Sequence, residues 1–238
     1  MICLTFDTDY MTDDDMERFV KGWDLPGKIT FFAHRRFACL EQDNYEICPH
    51  PLIDSLQNWE KEVAKIAGEL SAPSEGIRTH SCVFSHMIAI GLKKMGYKYS
   101  SNVNNLFQED LRPYRHPWGI WELPIYYMDN MDFCMPGNWE DLQHIPFSPE
   151  VITKALGGNG LYIFDIHPLH VALNTHDHGF YLGAREKMRK GNISAYDLRS
   201  SRRGVAVFLK ELCSAMVSKG QRSYSCSEAL QAFRDKRT

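Results

Sequence analysis

Short runs of apolar residues, bounded by polar or turn-forming ones, recur along this 238-residue chain and predict a skeleton of buried strands. The runs at residues 1–6, 28–33, 45–48, 76–79, 97–101, 121–127 and 161–166 have the length and the aromatic and β-branched content of such strands. Between them lie segments of helical period. Leu56, Trp59, Val63, Ile66 and Leu70 recur at helical spacing and predict an amphipathic helix over 55–70. Asp54 and Gln57 stand in capping-box positions before it. Ser148-Pro149-Glu150 opens another helix with an N-cap and a first-turn proline. Val205, Phe208, Leu209, Leu212 and Met216 line a third, and 226–235 predicts a short fourth. Asp13 to Asp15 read as the acidic first turn of a helix running toward Gly22, where the dipole favours negative charge.

Strands that alternate with helices imply βα units and a mainly parallel sheet. In such sheets, barrel or open, function gathers at the C-terminal strand ends. That rule turns the pattern into a map of chemistry. Asp7 and Asp9 follow the first strand, His34 the second, His50 the third, Arg78 and His80 the fourth, and His167 and His170 the last.

Composition narrows the class. The chain is 44% apolar and 24% charged, which is the balance of a globular protein, and no window reaches the ~20 apolar residues of a membrane helix. The opening MICLTFD carries no secretory signal pattern, so a cytoplasmic protein is expected. Seven cysteines, scattered and never spaced C-x-x-C, argue against a disulfide framework and a thiolate zinc site. A net charge of −3, with the short basic run 199–203 broken by serines, gives nucleic-acid binding little support. No repeat or linker divides residues 1–238, so one domain is expected, with C-terminal helices from about 200.

Asp7 and Asp9 fall on one side of an extended backbone, about 6 to 7 Å apart, and repel unless a cation or proton lies between them. His50, held between Pro49 and Pro51, has its direction restricted by both prolines. With Asp9 it forms a plausible ligand pair for a divalent metal such as zinc, and a third ligand would leave a position open to water. Arg78 is suited to orienting a carboxylate. His167, after an apolar strand and before Pro168, is placed to donate a proton.

The order of these pieces is itself a pattern: Asp-x-Asp, then Glu46-Ile47-x-x-His50, an arginine motif, Trp121-Glu122-x-Pro124, and a late apolar-His-Pro segment. Over residues 3–175 it resembles the polysaccharide deacetylase superfamily, carbohydrate esterase family 4, in its divergent branch among bacterial surface-polysaccharide biosynthesis proteins. The resemblance implies a distorted seven-stranded (β/α) TIM-like barrel and a zinc-type, metal-dependent hydrolase. Its substrate would be an acylated sugar, nucleotide sugar or glycan precursor. By position it makes Asp7 the catalytic base, Asp9 and His50 metal ligands, Arg78 the partner of the base and His167 the acid. Trp118, Glu122 and His170 would contact substrate. Where the family has a second metal histidine this chain has Asp54, leaving two candidates for the third ligand: Asp54, which also reads as a helix N-cap, and His80. An inactive carbohydrate-binding protein on the same barrel and a hydrolase of a non-sugar amide are the competing readings.

Overall fold

Alternation along two adjacent strands organises the molecule. The structure, a computed structural model, describes residues 1–70, 74–134, 144–191 and 193–236. In chain order its elements begin with β1 (Ile2–Asp7), α1 (Asp13–Gly22), β2 (Ile29–Ala33), β3 (Tyr45–Pro49), α2 (Trp59–Glu69) and β4 (Gly76–Ile77). There follow α3 (His86–Lys94), β5 (Tyr99–Ser100), β6 (Tyr114–Arg115), β7 (Trp121–Glu122), β8 (Ile125–Met128) and α4 (Asp129–Cys134). The chain continues through α5 (Pro149–Gly157), β9 (Tyr162–Ile166), α6 (Pro168–Leu173), α7 (His178–Gly191), α8 (Val205–Ser218) and α9 (Cys226–Asp235).

The main sheet has the order β3-β2-β1-β9-β8 and is parallel throughout. Ile2, Leu4 and Phe6 of β1 and Tyr162, Phe164 and Ile166 of β9 join the large core cluster that includes residues of α1, α5, α6 and α8. The intervening residues Cys3 and Ile163 join a second cluster, together with Cys226, Ala229 and Leu230 of α9. Side chains on a strand alternate between faces. On the face away from the large core, β1 therefore carries Cys3, Thr5 and Asp7, and β9 carries Ile163 and Asp165. That face is apolar near the strand starts and acidic near their ends.

The second sheet has the order β4-β5-β7-β6, with β6 antiparallel to β7 and the other pairs parallel. Hydrogen bonds join the two sheets at both margins. Arg78 N–H donates to Pro49 O and His80 N–H to Pro51 O beyond β3 and β4, while Ile125 N–H donates to Val103 O and Asn105 N–H to Ile125 O beside β8. The result is a single-domain α/β fold.

Two expectations need correction. The run 121–127 is not one strand, because Pro124 has no N–H to continue a ladder. At that point the chain changes sheet, β7 pairing with β5 and β8 with β9. The helix expected from residue 55 begins at Trp59, with Asn58 rather than Asp54 at its N-cap position. Residues 55–58 form a turn instead: Ser55 Oγ accepts from Gln57 N–H and Ser55 O from Asn58 N–H. Leu56 is left 66% exposed, so it is not part of the apolar stripe, whereas Trp59, Val63 and Ile66 are buried as expected. The other helices follow their signals. Thr12 caps α1 through Asp15 N–H, Ser148 caps α5 through Glu150 N–H, and Ser225 with Glu228 forms a reciprocal capping box on α9.

Phe164, fully buried on β9 with Tyr126, Tyr127 and Phe208 rings around it, gives a direct test of this core. Phe164→Ala should lower unfolding free energy by about 3 to 5 kcal/mol. Ser225→Ala should lower it by about 1 kcal/mol. Both are measured as shifts in urea midpoint at constant slope.

Candidate active site

Beyond Asp7 the chain leaves β1 through Thr8 and reaches Asp9 before a turn in which Tyr10 takes a left-handed conformation and Met11 N–H donates to Thr8 O. His50 follows β3 directly and is fixed by its own N–H, which donates to Ala33 O. Its ring is almost wholly buried, with Nδ1 2.9 Å from Arg78 O. A carbonyl oxygen only accepts, so Nδ1 carries a hydrogen and Nε2 is the free nitrogen. That Nε2 lies 3.1 Å from Asp9 Oδ2 and 3.6 Å from Asp7 Oδ2. His80 comes in from beyond β4, its Nδ1 3.2 Å from Asp9 Oδ1. Ser81 and Cys82, immediately after it, are both left-handed at φ 56° and 53°, a conformation costly for residues other than glycine.

Asp9, His50 and His80 thus each offer a donor atom, all within 4.8 Å of one another. A neutral His50 would point a lone pair at two carboxylates, so a cation belongs between them. In its absence a proton takes that place. Burial works against the imidazolium, but Asp7 and Asp9 outweigh it and raise His50 to about 9. Burial likewise pushes the Asp9 carboxyl up, yet His50, His80 and His167 more than reverse this and hold it far below the usual carboxylate range. A carboxylate and two imidazoles, one oriented by a backbone carbonyl, form a donor set that fits a divalent metal. Asp54, the other candidate, is exposed and stands outside this group.

Asp7 faces the other way as well. Its Oδ1 accepts from Arg78 Nη1 at 2.8 Å. Opposite, His167 caps the start of α6, with its N–H donating to Asp129 Oδ2 at 2.9 Å and Nδ1 2.7 Å from Asp129 Oδ1. Its Nε2 is turned toward the centre, 3.8 Å from Asp9 Oδ2. Burial lowers the His167 imidazolium, but Asp129 dominates and the value lies at about 10. His170 shares the same carboxylate at 3.0 Å, yet burial prevails there and its value falls. A cleft of about 250 Å³ opens over Asp7, Asp9, His50, His80 and His167, with Cys82, Asn104, Met128 and Met131 among its walls.

This arrangement can be set beside known proteins. The model of the WbmS-like polysaccharide deacetylase family matches residues 4–185. The chain belongs to that family. A structure from Bordetella bronchiseptica, described as a polysaccharide deacetylase involved in O-antigen biosynthesis, is 21% identical, with a TM-score of 0.69 over 90% of this chain and 89% of that one. A Mycobacterium smegmatis structure, described as a polysaccharide deacetylase, is 16% identical, with a TM-score of 0.59 over 99% and 90%. Both likenesses show the fold. No curated protein sequence matches the chain. Membership in a deacetylase family implies a hydrolytic enzyme, and among the described residues no helix is long and apolar enough to cross a membrane.

Not every expected residue of this deacetylase-family chain reaches the cleft. Glu122 is fully buried elsewhere, accepting from Ser100 Oγ and from the N–H groups of Asn102 and Val103, so it ties β7 to the end of β5 rather than meeting a ligand. Trp118 lies outside the cleft lining, its ring parallel to His116 at 6.1 Å. His170 sits behind His167, buried against Phe133 and Tyr181. Asn174 binds Ser200 O, Arg202 O and the N–H of Ala206, which makes it a joint between α6 and α8.

Asp129 and Asp165 are the acids that the sequence reading passes over. Asp129 follows β8 as Asp7 ends β1, and the strand-end rule reaches it once the run ending at 127 is carried to Met128. Asp165 has its own signal, a lone acid inside an otherwise apolar strand.

The Asp129 pair has a defined pH signature. His167 is raised above its unfolded value of about 6.5, so its stabilisation is complete below that value and disappears as pH rises through about 10. Asp129, lowered against burial by His170 and His167, contributes above its unfolded value of about 3.9 and loses that contribution as pH falls through its folded value. In Asp129→Asn the His167 midpoint, followed by imidazole NMR, should drop to the ordinary histidine range or below. The stability gap to wild type should be widest between roughly pH 4 and 6.5 and close toward alkaline pH. An unmoved midpoint would remove Asp129 as the partner.

Proposed function

We propose that this chain is a metal-dependent deacetylase that removes an N-acetyl or related acyl group from a sugar or glycan precursor, on a distorted (β/α) barrel to which both sheets contribute. The observation that carries the reading is the flanking of one Asp-His-His donor group by a carboxylate held on arginine and an imidazole held on aspartate. Asp9, His50 and His80 would hold the metal, which when bound supplies Lewis acidity and local positive charge; zinc suits these ligands.

The remaining steps belong to the chain. Asp7, kept in place by Arg78, takes a proton from the attacking water as its oxygen adds to the amide carbon. His167 gives the proton on Nε2 to the departing nitrogen, because an amide releases its nitrogen readily only as a neutral amine. Asp129 holds Nδ1 and so aims Nε2 inward. As the C–N bond breaks, the products are the free carboxylic acid and the amino sugar. Asp7, Asp9 and His167 each offer an atom within 4.8 Å of the others, so both proton carriers stand beside the same donor group.

Asp7→Asn and His167→Ala should each reduce turnover of an N-acetylated sugar by roughly 10² to 10⁴ while circular dichroism and unfolding stay cooperative. A panel spanning a nucleotide sugar, a lipid-linked precursor and a finished polymer identifies the substrate form. Full activity in Asp7→Asn would remove the base. Metal content offers an independent check. Asp9→Ala, His50→Ala and His80→Ala should lose stoichiometric zinc by mass spectrometry, and Asp54→Ala should keep it; loss in Asp54→Ala with retention in His80→Ala would reassign the third ligand.

A further inference from the structure

Asp165 is the penultimate residue of β9, fully buried, and among the described residues neither carboxyl oxygen has a hydrogen-bond partner. Oδ1 is nevertheless 2.9 Å from Arg78 Nη1. The reason is a shortage of hydrogens. Nη1 has two, and they serve Thr5 Oγ1 at 3.0 Å and Asp7 Oδ1 at 2.8 Å. Thr5, which stands beside Asp165 in the β1–β9 register, does not help, because its hydroxyl donates to Phe164 O. The rest of the guanidinium is turned to Ser101: Nε donates to Ser101 O and Nη2 gives one of its two hydrogens to Ser101 Oγ, so the shortage is on Nη1, the nitrogen beside Asp165.

The charges facing Asp165 come from several elements: Arg78 beyond β4, Asp7 at the end of β1, Asp129 at the start of α4, and His167 two residues along its own chain. The Cys82 thiol faces it from the turn after β4. A single guanidinium thus lies between two buried carboxylates, and a buried carboxylate without a hydrogen bond is costly unless it takes up a proton.

We propose that Asp165 is a positioning residue that acts through Arg78: as the neutral acid it leaves the guanidinium to Asp7, and as the carboxylate it competes with Asp7 for it. The inference rests on the reading of Asp7 as the base. Burial raises the Asp165 carboxyl, Arg78 draws it down and Asp7 raises it again, for a balance at about 7. The competition therefore falls within the working range of a neutral-pH enzyme.

Infrared difference spectroscopy of the purified protein, wild type against Asp165→Asn, reads the proton directly. A protonated-carboxyl band present in wild type, absent from the variant and titrating near neutrality supports the proposal; no such band overturns it. Thr5→Val removes one acceptor from Nη1 and frees a hydrogen for Asp165. The midpoint of the band should then fall, and an unchanged midpoint counts against the competition. In kinetics on an N-acetylated sugar, wild-type kcat should decline roughly tenfold as pH rises through that midpoint, with KM unchanged. The profile of Asp165→Asn, or of Asp165→Ser should the first variant fold poorly, should lack this step, and a step that persists overturns the proposal. If wild type hydrolyses no amide, the function assigned to the site fails, while the infrared titration still decides whether Asp165 holds the proton.

Discussion

A guanidinium wholly removed from water has to find its partners inside the protein, and Arg78 finds them on strands from both sheets. Its hydrogens go to Thr5 and Asp7 on β1 and to Ser101 beyond β5, its charge to Asp165 on β9, and its plane lies over Phe32 of β2 at 4.1 Å. Its own carbonyl lies at hydrogen-bond distance from His50 Nδ1. One residue therefore ties the two sheets together and aims Asp7 through its side chain, and sets the tautomer of His50 through its backbone carbonyl. The neighbourhood could not be apolar, since a cation left unpaired there would cost several kcal/mol.

From that constraint follows an alternation of charge across the site. Arg78 is paired with Asp7, Asp9 lies between His50 and His80, and His167 leans on Asp129. Each carboxylate faces a cation or a proton, which is how so many acids coexist in a buried space. It is also what separates the jobs of Asp7 and Asp9 in the proposed mechanism. The two acids differ through their partners: Asp7 is turned to a permanent cation, whereas Asp9 is turned to two imidazoles able to ligate.

The fold lets this chemistry form because β1 and β9 are two-faced. Phe6, Phe164 and Ile166 fill the large core, and on the opposite face the same strands raise Thr5, Asp7 and Asp165 above an apolar floor of Cys3 and Ile163. The floor is closed by α9, whose Cys226 N–H donates to Thr30 Oγ1 and whose Ser227 N–H donates to Glu46. The C-terminal helices, which add little to the motif pattern, are thus part of what supports the site.

Local order in the sequence determined much of this. Strand periodicity and helix caps act over a few residues, so β1, β2, β3 and β9 and the starts of α1, α5 and α9 could be read from the chain, as could the convergence of Asp7, Asp9, His50, Arg78, His80 and His167 at strand ends. What depends on contacts between distant segments could not. Whether residue 54 or 80 stands beside Asp9 depends on where the chain beyond β4 is hydrogen-bonded, and His80 N–H on Pro51 O decides it. Glu122 was removed from the site by backbone N–H groups some twenty residues earlier in the chain. Asp129 and Asp165 acquired their meaning only when packing placed a histidine against one and a shared arginine against the other. The sequence determined which side chains arrive at the strand ends; the tertiary structure decided which of them share a cation, because that depends on distances across the sheets that no local pattern encodes.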